Sequence, residues 1–170
     1  MAENKMDAIA LLKQDHREVE ELFEQFEKAS GDGRKKTLAE KICLELSVHA
    51  SIEEEIFYPA CEGKVEEDLI KEAYVEHDGA KVLIAEIEAG SGSSDEFFDA
   101  KVKVLQEQIE HHVEEEEKPK EGLFAQARAA GIDLKTIGDQ LQRRKTQLQE
   151  EIKAGGLPEP ETTTFEEVDI

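Results

Sequence analysis

The chain has 170 residues, 21 of them basic and 42 acidic, for a formal net charge of −21. At 38% hydrophobic and 37% charged it fits one soluble, helix-rich domain with a proper core, too short for two large domains. So acidic a surface repels nucleic acid and anionic membranes, and neither is expected as a partner.

The N-terminal MAENKMDAIALLKQDH has only five consecutive apolar residues, Ala8 to Leu12. That is too few for a signal-peptide core or a membrane span, so residence in the cytoplasm is expected. Cys43 and Cys61 fit reduced thiols there and form no CxxC metal pattern.

A first helix is predicted from about Asp7, a candidate N-cap, to Ala29, ending at SGDG. Its apolar stripe, Ile9, Leu12, His16, Val19, Phe23 and Phe26, is spaced 3, 4, 3, 4, 3, which is one helix face. A second spans about Arg34 to Tyr58 and stops at Pro59, with Leu38, Ile42, Leu46, His49, Glu53 and Ile56 on its stripe. A third covers about Glu66 to Glu88, carries Ile70, Tyr74, His77, Ile84 and Ile87, and ends at GSGSS. A fourth starts at Ser93, where S-S-D-E has the form of a capping box, and Pro119 limits it. Its stripe is Phe98, Val102, Leu105, Ile109, His112 and Glu116.

Four amphipathic helices joined by short loops predict an all-α, up-down-up-down four-helix bundle. A fifth helix, about 133–153, carries Leu134, Ile137, Leu141, Leu148 and Ile152 and is expected on the outside of the bundle. The expected domain is 1–154, with its core at about 7–130. Residues 155–170, GGLPEPETTTFEEVDI from Gly155, have no periodicity and read as a disordered tail.

Four of the five histidines, His16, His49, His77 and His112, fall on apolar stripes, one per helix. Two are followed at i+4 by a stripe glutamate, giving His49/Glu53 and His112/Glu116. Residues i and i+4 lie one above the other, so each pair offers an imidazole and a carboxylate to the same point of a bundle core. His111/Glu115 has the same spacing, but position 111 follows the mixed face of Phe97, Lys101, Val104 and Gln108. One stripe histidine is more often a hydrogen-bonded core residue than a ligand; one on each of four helices is hard to explain by packing. Heights agree as well. His16 is early in its helix, His49 late, His77 early to middle and His112 late, so in alternating helices all lie toward one end.

Buried carboxylates need compensation, and four imidazoles with two carboxylates that can bridge suit two metal ions better than one. Mixed nitrogen and oxygen donors without thiolate favour iron or manganese, whereas zinc usually prefers four-coordination.

His16, HASIEEEIFYP from His49, EHDGAK with His77, and EHHVEEEE from Glu110 resemble the hemerythrin-like family, also called the HHE cation-binding domain, over about residues 7 to 130. After the acidic run KPKEG intervenes before Leu123 and Phe124, where the family usually continues with phenylalanine and proline. The resemblance implies a bundle around a non-haem di-iron centre, two iron ions with an oxo or hydroxo bridge. It assigns His16, His49, Glu53, His77, His112 and Glu116 as ligands, with the glutamates bridging. The implied function is binding or sensing of dioxygen, nitric oxide or peroxide. Alternatives are an enzyme that decomposes peroxide or reduces nitric oxide at that centre, and iron storage or buffering. No separate acid/base pair or nucleophile supports the enzyme reading, and no catalytic residue is assigned.

Overall fold

The structure is a computed structural model that describes residues 6–90, 95–159 and 161–165. Its elements are α1 (Ala8–Lys28), α2 (Asp32–Ile52), a π turn (Glu53–Phe57), α3 (Tyr58–Cys61), α4 (Glu67–Gly90), α5 (Phe98–Glu117), α6 (Leu123–Ala129) and α7 (Leu134–Gly155). No strand occurs among the described residues. The bundle consists of α1, α2 with its continuation through α3, α4 and α5, and α7 lies against α1 and α2.

The stripes explain the packing. Asp7 caps α1 by accepting from the Ala10 N–H, which satisfies one of the open amides of the first turn. Every stripe residue of α1 and of α5 is buried. Asp133 caps α7 in the same way through Thr136. Gly138 lets α7 close onto the start of α1, because a Cβ there would lie 2.6 Å from the Met6 carbonyl oxygen. Leu134, Ile137 and Leu141 are buried on that seam, whereas Leu148 and Ile152 are half-buried.

Two element boundaries differ from expectation. The second helix does not stop at Pro59 but runs through a π turn to Cys61. Pro59 has no N–H to donate to Glu55, but it fits the first turn of a helix, where that donor is not needed. The wider turn meets this constraint, with the Tyr58 N–H bonded to the Glu53 carbonyl. The extra residue moves the buried face onward by one, so Ile56 is half-buried while Phe57 and Tyr58 are fully buried. The fourth helix begins at Phe98, with the Asp95 side chain accepting from the Phe97 N–H. The capping-box residues Ser93 and Ser94 lie outside the described residues.

The apolar interior falls into two clusters. One contains Leu12, Ile52, Phe57, Tyr58, Leu123, Phe124 and Leu141; the other contains Val19, Phe23, Leu38, Ile42, Ile84, Leu105 and Ile109. On α1, α2 and α4 the buried histidines His16, His49 and His77 lie along the chain between residues of the two clusters. Beyond α7 the described residues form no regular element.

Candidate metal centre

His16, His49, Glu53, His77, His112 and Glu116 are all buried, with Glu53 fully so. Ligand atoms of His16, His49 and Glu116 lie within 4.8 Å of one another, and so do those of Glu53, His77 and His112. The two groups share their carboxylates. Glu53 Oε1 is 3.0 Å from His49 Nε2, 3.1 Å from His77 Nε2 and 3.7 Å from His112 Nε2. Glu116 Oε1 is 3.2 Å from both His16 Nε2 and His112 Nε2. Each glutamate therefore reaches the histidine one turn before it and also histidines on other helices. His111 is different: its side chain is 63% exposed and rests on Glu76 at the surface.

The Nε2 atoms face inward because every Nδ1 is engaged on the outer side. His16 Nδ1 donates to Glu117 at 2.6 Å, His49 Nδ1 to Asp15 at 2.9 Å, His77 Nδ1 to Glu54 at 2.9 Å and His112 Nδ1 to Glu76 at 2.7 Å. A carboxylate only accepts, so each Nδ1 carries the proton; in a neutral imidazole the Nε2 lone pair is then free to bind a metal. Carboxylate partners of this kind fix ring orientation and raise ligand basicity at metal centres. Four of four histidines have one.

The donor set fits cations. The buried atoms His16 Nε2, His49 Nε2, Glu53 Oε2 and Glu116 Oε1 have no hydrogen-bond partner, although such atoms are ordinarily satisfied. With protein groups alone, the imidazoles must compensate the carboxylates. Burial opposes charge on His49, but Glu53 and Asp15 outweigh it and push its pKa up to about 10. His16 and His112 are raised likewise, against burial, by Glu116 together with Glu117 for His16 and with Glu53 and Glu76 for His112. Glu53 is held well below the usual carboxylate range, with burial outweighed by His49, His112 and His77. Glu116 is also lowered: burial and the Glu53 charge raise it, and His112 and His16 prevail. Two cations in the centre would take over this compensation and leave the histidines neutral.

Tyr58 was not foreseen. Its hydroxyl donates to Glu116 Oε2 at 2.9 Å and lies 3.2 Å from His77 Nε2 and 3.4 Å from His112 Nε2. The π turn aims it. Tyr58 is five residues after Glu53, and a regular helix at about 100° per residue would rotate it about 140° away; absorbing one residue reduces this to about 40°. Burial and the charges of Glu116 and Glu53 push its phenol pKa well up.

KPKEG brings a further residue back to the centre. Lys120 adopts φ 65°, and Gly122 lies so close to Lys118 that a Cβ would sit 2.6 Å from its carbonyl oxygen. The tight return starts α6 and stacks Phe124 on His16, with ring centroids 5.7 Å apart and planes 11° from parallel.

The molecule is thus an all-α bundle with a His/Glu cation-type core. The family model of the hemerythrin HHE cation binding domain matches residues 7–120, and the chain belongs to that family. A crystal structure of a hemerythrin HHE cation binding domain-containing protein from Mycobacterium kansasii has a TM-score of 0.72, covering 89% of this chain and 95% of that one, at 19% identity. At that identity it shows the fold. A protein called DNA nickase from Nostoc sp. (strain PCC 7120 / SAG 25.82 / UTEX 2576) is 31% identical over 107 residues, 63% of this chain. The match spans only 30% of that protein's length.

Proposed function

We propose that this chain is a non-haem di-iron protein that binds or senses dioxygen, nitric oxide or peroxide. In this reading His16, His49, Glu53, His77, His112 and Glu116 are the ligands and both glutamates are shared between the metals. What carries it is the pair of three-donor groups linked by two buried glutamates, with every histidine anchored from behind by a carboxylate. Bound iron would supply reversible binding of, or electron exchange with, a small oxygen or nitrogen ligand.

The protein's own residues contribute position and dryness. Glu117, Asp15, Glu54 and Glu76 hold the four rings in register. Val19, Ile84 and Ile109 line the adjoining cavity of about 590 Å³, and Phe124 covers His16. Apolar walls exclude water from the neighbourhood of a bound ligand.

Tyr58 favours a second reading, turnover of peroxide or nitric oxide at the same centre. A buried phenol beside the donor atoms is a source of a proton and a seventh donor residue, the third with oxygen. Nicking of nucleic acid is not carried over from the Nostoc protein. The match covers less than a third of that protein, and a net charge of −21 opposes binding to a polyanion. The proposed partner is a small molecule, without nucleic acid.

The deciding experiment is metal content per chain by mass spectrometry, with absorption spectra before and after air exposure. Two irons per chain and near-ultraviolet bands that change in air support the di-iron reading. No metal, or one tightly held zinc, sinks it. Release of dioxygen from added peroxide over many cycles would favour the second reading over simple binding.

A further inference from the structure

The described residues after α7 do not leave the bundle. They turn at Gly156, with φ 82°, and Leu157 packs on the apolar cluster containing Ile84. Pro158, Glu159, Glu161, Thr162 and Thr163 then line the same cavity as His16, His49, His77 and His112. Its remaining walls include Ser47, Ala50, Ser51 and Glu54 from the second helix, and Ala80, Lys81 and Ile84 from α4. The segment therefore crosses the gap between these two helices.

Its anchorage is polar. Asp78 follows His77 on α4 and is fully buried. It accepts from the Thr163 N–H at 2.9 Å, the Thr164 N–H at 2.6 Å and the Phe165 N–H at 3.2 Å, and also from the Thr164 hydroxyl. Three successive amides closing on one carboxylate form an anion-binding concavity. Lys81 Nζ donates to the Glu161 carbonyl oxygen at 3.0 Å and to Glu54 Oε1 at 3.0 Å, and the Thr163 hydroxyl donates to the same Glu54 oxygen at 3.0 Å. Glu54 is the carboxylate that orients His77. One side chain thus links the segment to the centre.

We propose that this segment, in its described residues 157–159 and 161–165, is a strap latched on Asp78 and Lys81. It closes the mouth between α2 and α4 and sets the rate at which ions and small ligands enter the metal cavity. The proposal rests on the reading of the six-residue cluster as a metal centre. The strap's described residues 158–159 and 161–165 belong to neither apolar cluster, so it opens by breaking a few hydrogen bonds without unfolding the bundle. Its opening then gates access in the way that lids do in other small-molecule sites.

The test uses full-length chain freed of metal and compares the parent, Thr164→Pro and Thr164→Ser. Proline removes the Thr164 N–H and hydroxyl but no residue of the centre; serine retains both groups. Cobalt(II) uptake is followed by its visible bands. About tenfold faster uptake by Thr164→Pro, with unchanged final stoichiometry and unchanged bands, and a parental rate for Thr164→Ser, is expected for a latched gate. Equal rates in all three chains overturn the gate. If no chain takes up cobalt, the metal reading fails separately, and amide hydrogen exchange then decides the strap. Slow exchange at Thr163 to Phe165, abolished in Thr164→Pro, upholds the latch; exchange at the rate of free chain in the parent overturns it.

Discussion

The Tyr58 hydroxyl donates to Glu116 Oε2 at 2.9 Å, joining the end of the second helix to the buried carboxylate of α5. The bond exists because a π turn ahead of Pro59 rotates Tyr58 into the bundle. Wide turns of this sort concentrate at functional positions, where they re-aim one side chain at a cost in helix regularity.

Tyr58→Phe tests whether the phenol is a metal donor. The ring stays and only the hydroxyl goes, so Glu116 loses a partner at about 1–3 kcal/mol in the metal-free chain. Iron content is expected to stay near that of the parent. A visible phenolate-to-iron absorption in the ferric parent should vanish in the variant. A parent without such a band would leave Tyr58 as a hydrogen-bond donor to Glu116 alone.

The limits of legibility lie in the same place. The stripes of α1 and α5 specify their buried faces residue by residue, because regular periodicity holds along the whole helix. On the second helix the stripe holds to Glu53 and then slips, so Ile56 stands where Phe57 belongs. One inserted residue leaves no mark in an apolar run, and Pro59 reads as a stop although it can equally begin a helical turn. The partners of Nδ1 were hidden by abundance. With 42 acidic residues, only helix packing selects Asp15, Glu54, Glu76 and Glu117. Phe124 lies beyond a turn whose return path depends on the close approach at Gly122, which no spacing rule conveys.

Asp15 holds His49 from behind and is itself bonded to Lys145 at 2.6 Å. Asp15→Asn removes the negative charge while keeping the shape, so His49 becomes a weaker and less firmly oriented donor. Metal affinity is expected to fall about 10- to 100-fold, measured by competition with a chelator. Unchanged affinity would mean that packing alone orients the ring.

Adjacent histidines offer an internal control. His112 is buried among Glu53, Glu76 and Glu116, whereas the His111 side chain is 63% exposed. His112→Ala should lower metal per chain clearly, and His111→Ala should leave both metal content and melting temperature within error of the parent. His77→Ala should also lower metal content, with only modest loss of stability. Full loading of His112→Ala with depleted loading of His111→Ala would reassign the ligand to the outer pair.

Metal removal should reveal a pH dependence with a defined sign. In the metal-free chain the His49 pKa is raised to about 10 from an ordinary 6.5, burial being outweighed by Glu53 and Asp15. A group raised in the folded state gives stability that is fully present below its unfolded pKa and is lost as pH climbs through the folded value. His16 and His112 are raised too and act in the same direction. Cys43 and Cys61, which burial pushes up to about 12 with neighbouring glutamates adding to the rise, also oppose folding at high pH. The melting temperature of the metal-free chain should therefore fall steadily from about pH 7 to pH 10. The metal-loaded chain, its imidazoles neutral and bound, should show a much flatter profile over that range. Loading should release protons, visible as a calorimetric heat that depends on the buffer's ionisation enthalpy. Parallel melting profiles with and without metal would mean that these histidines are not the groups the metal neutralises.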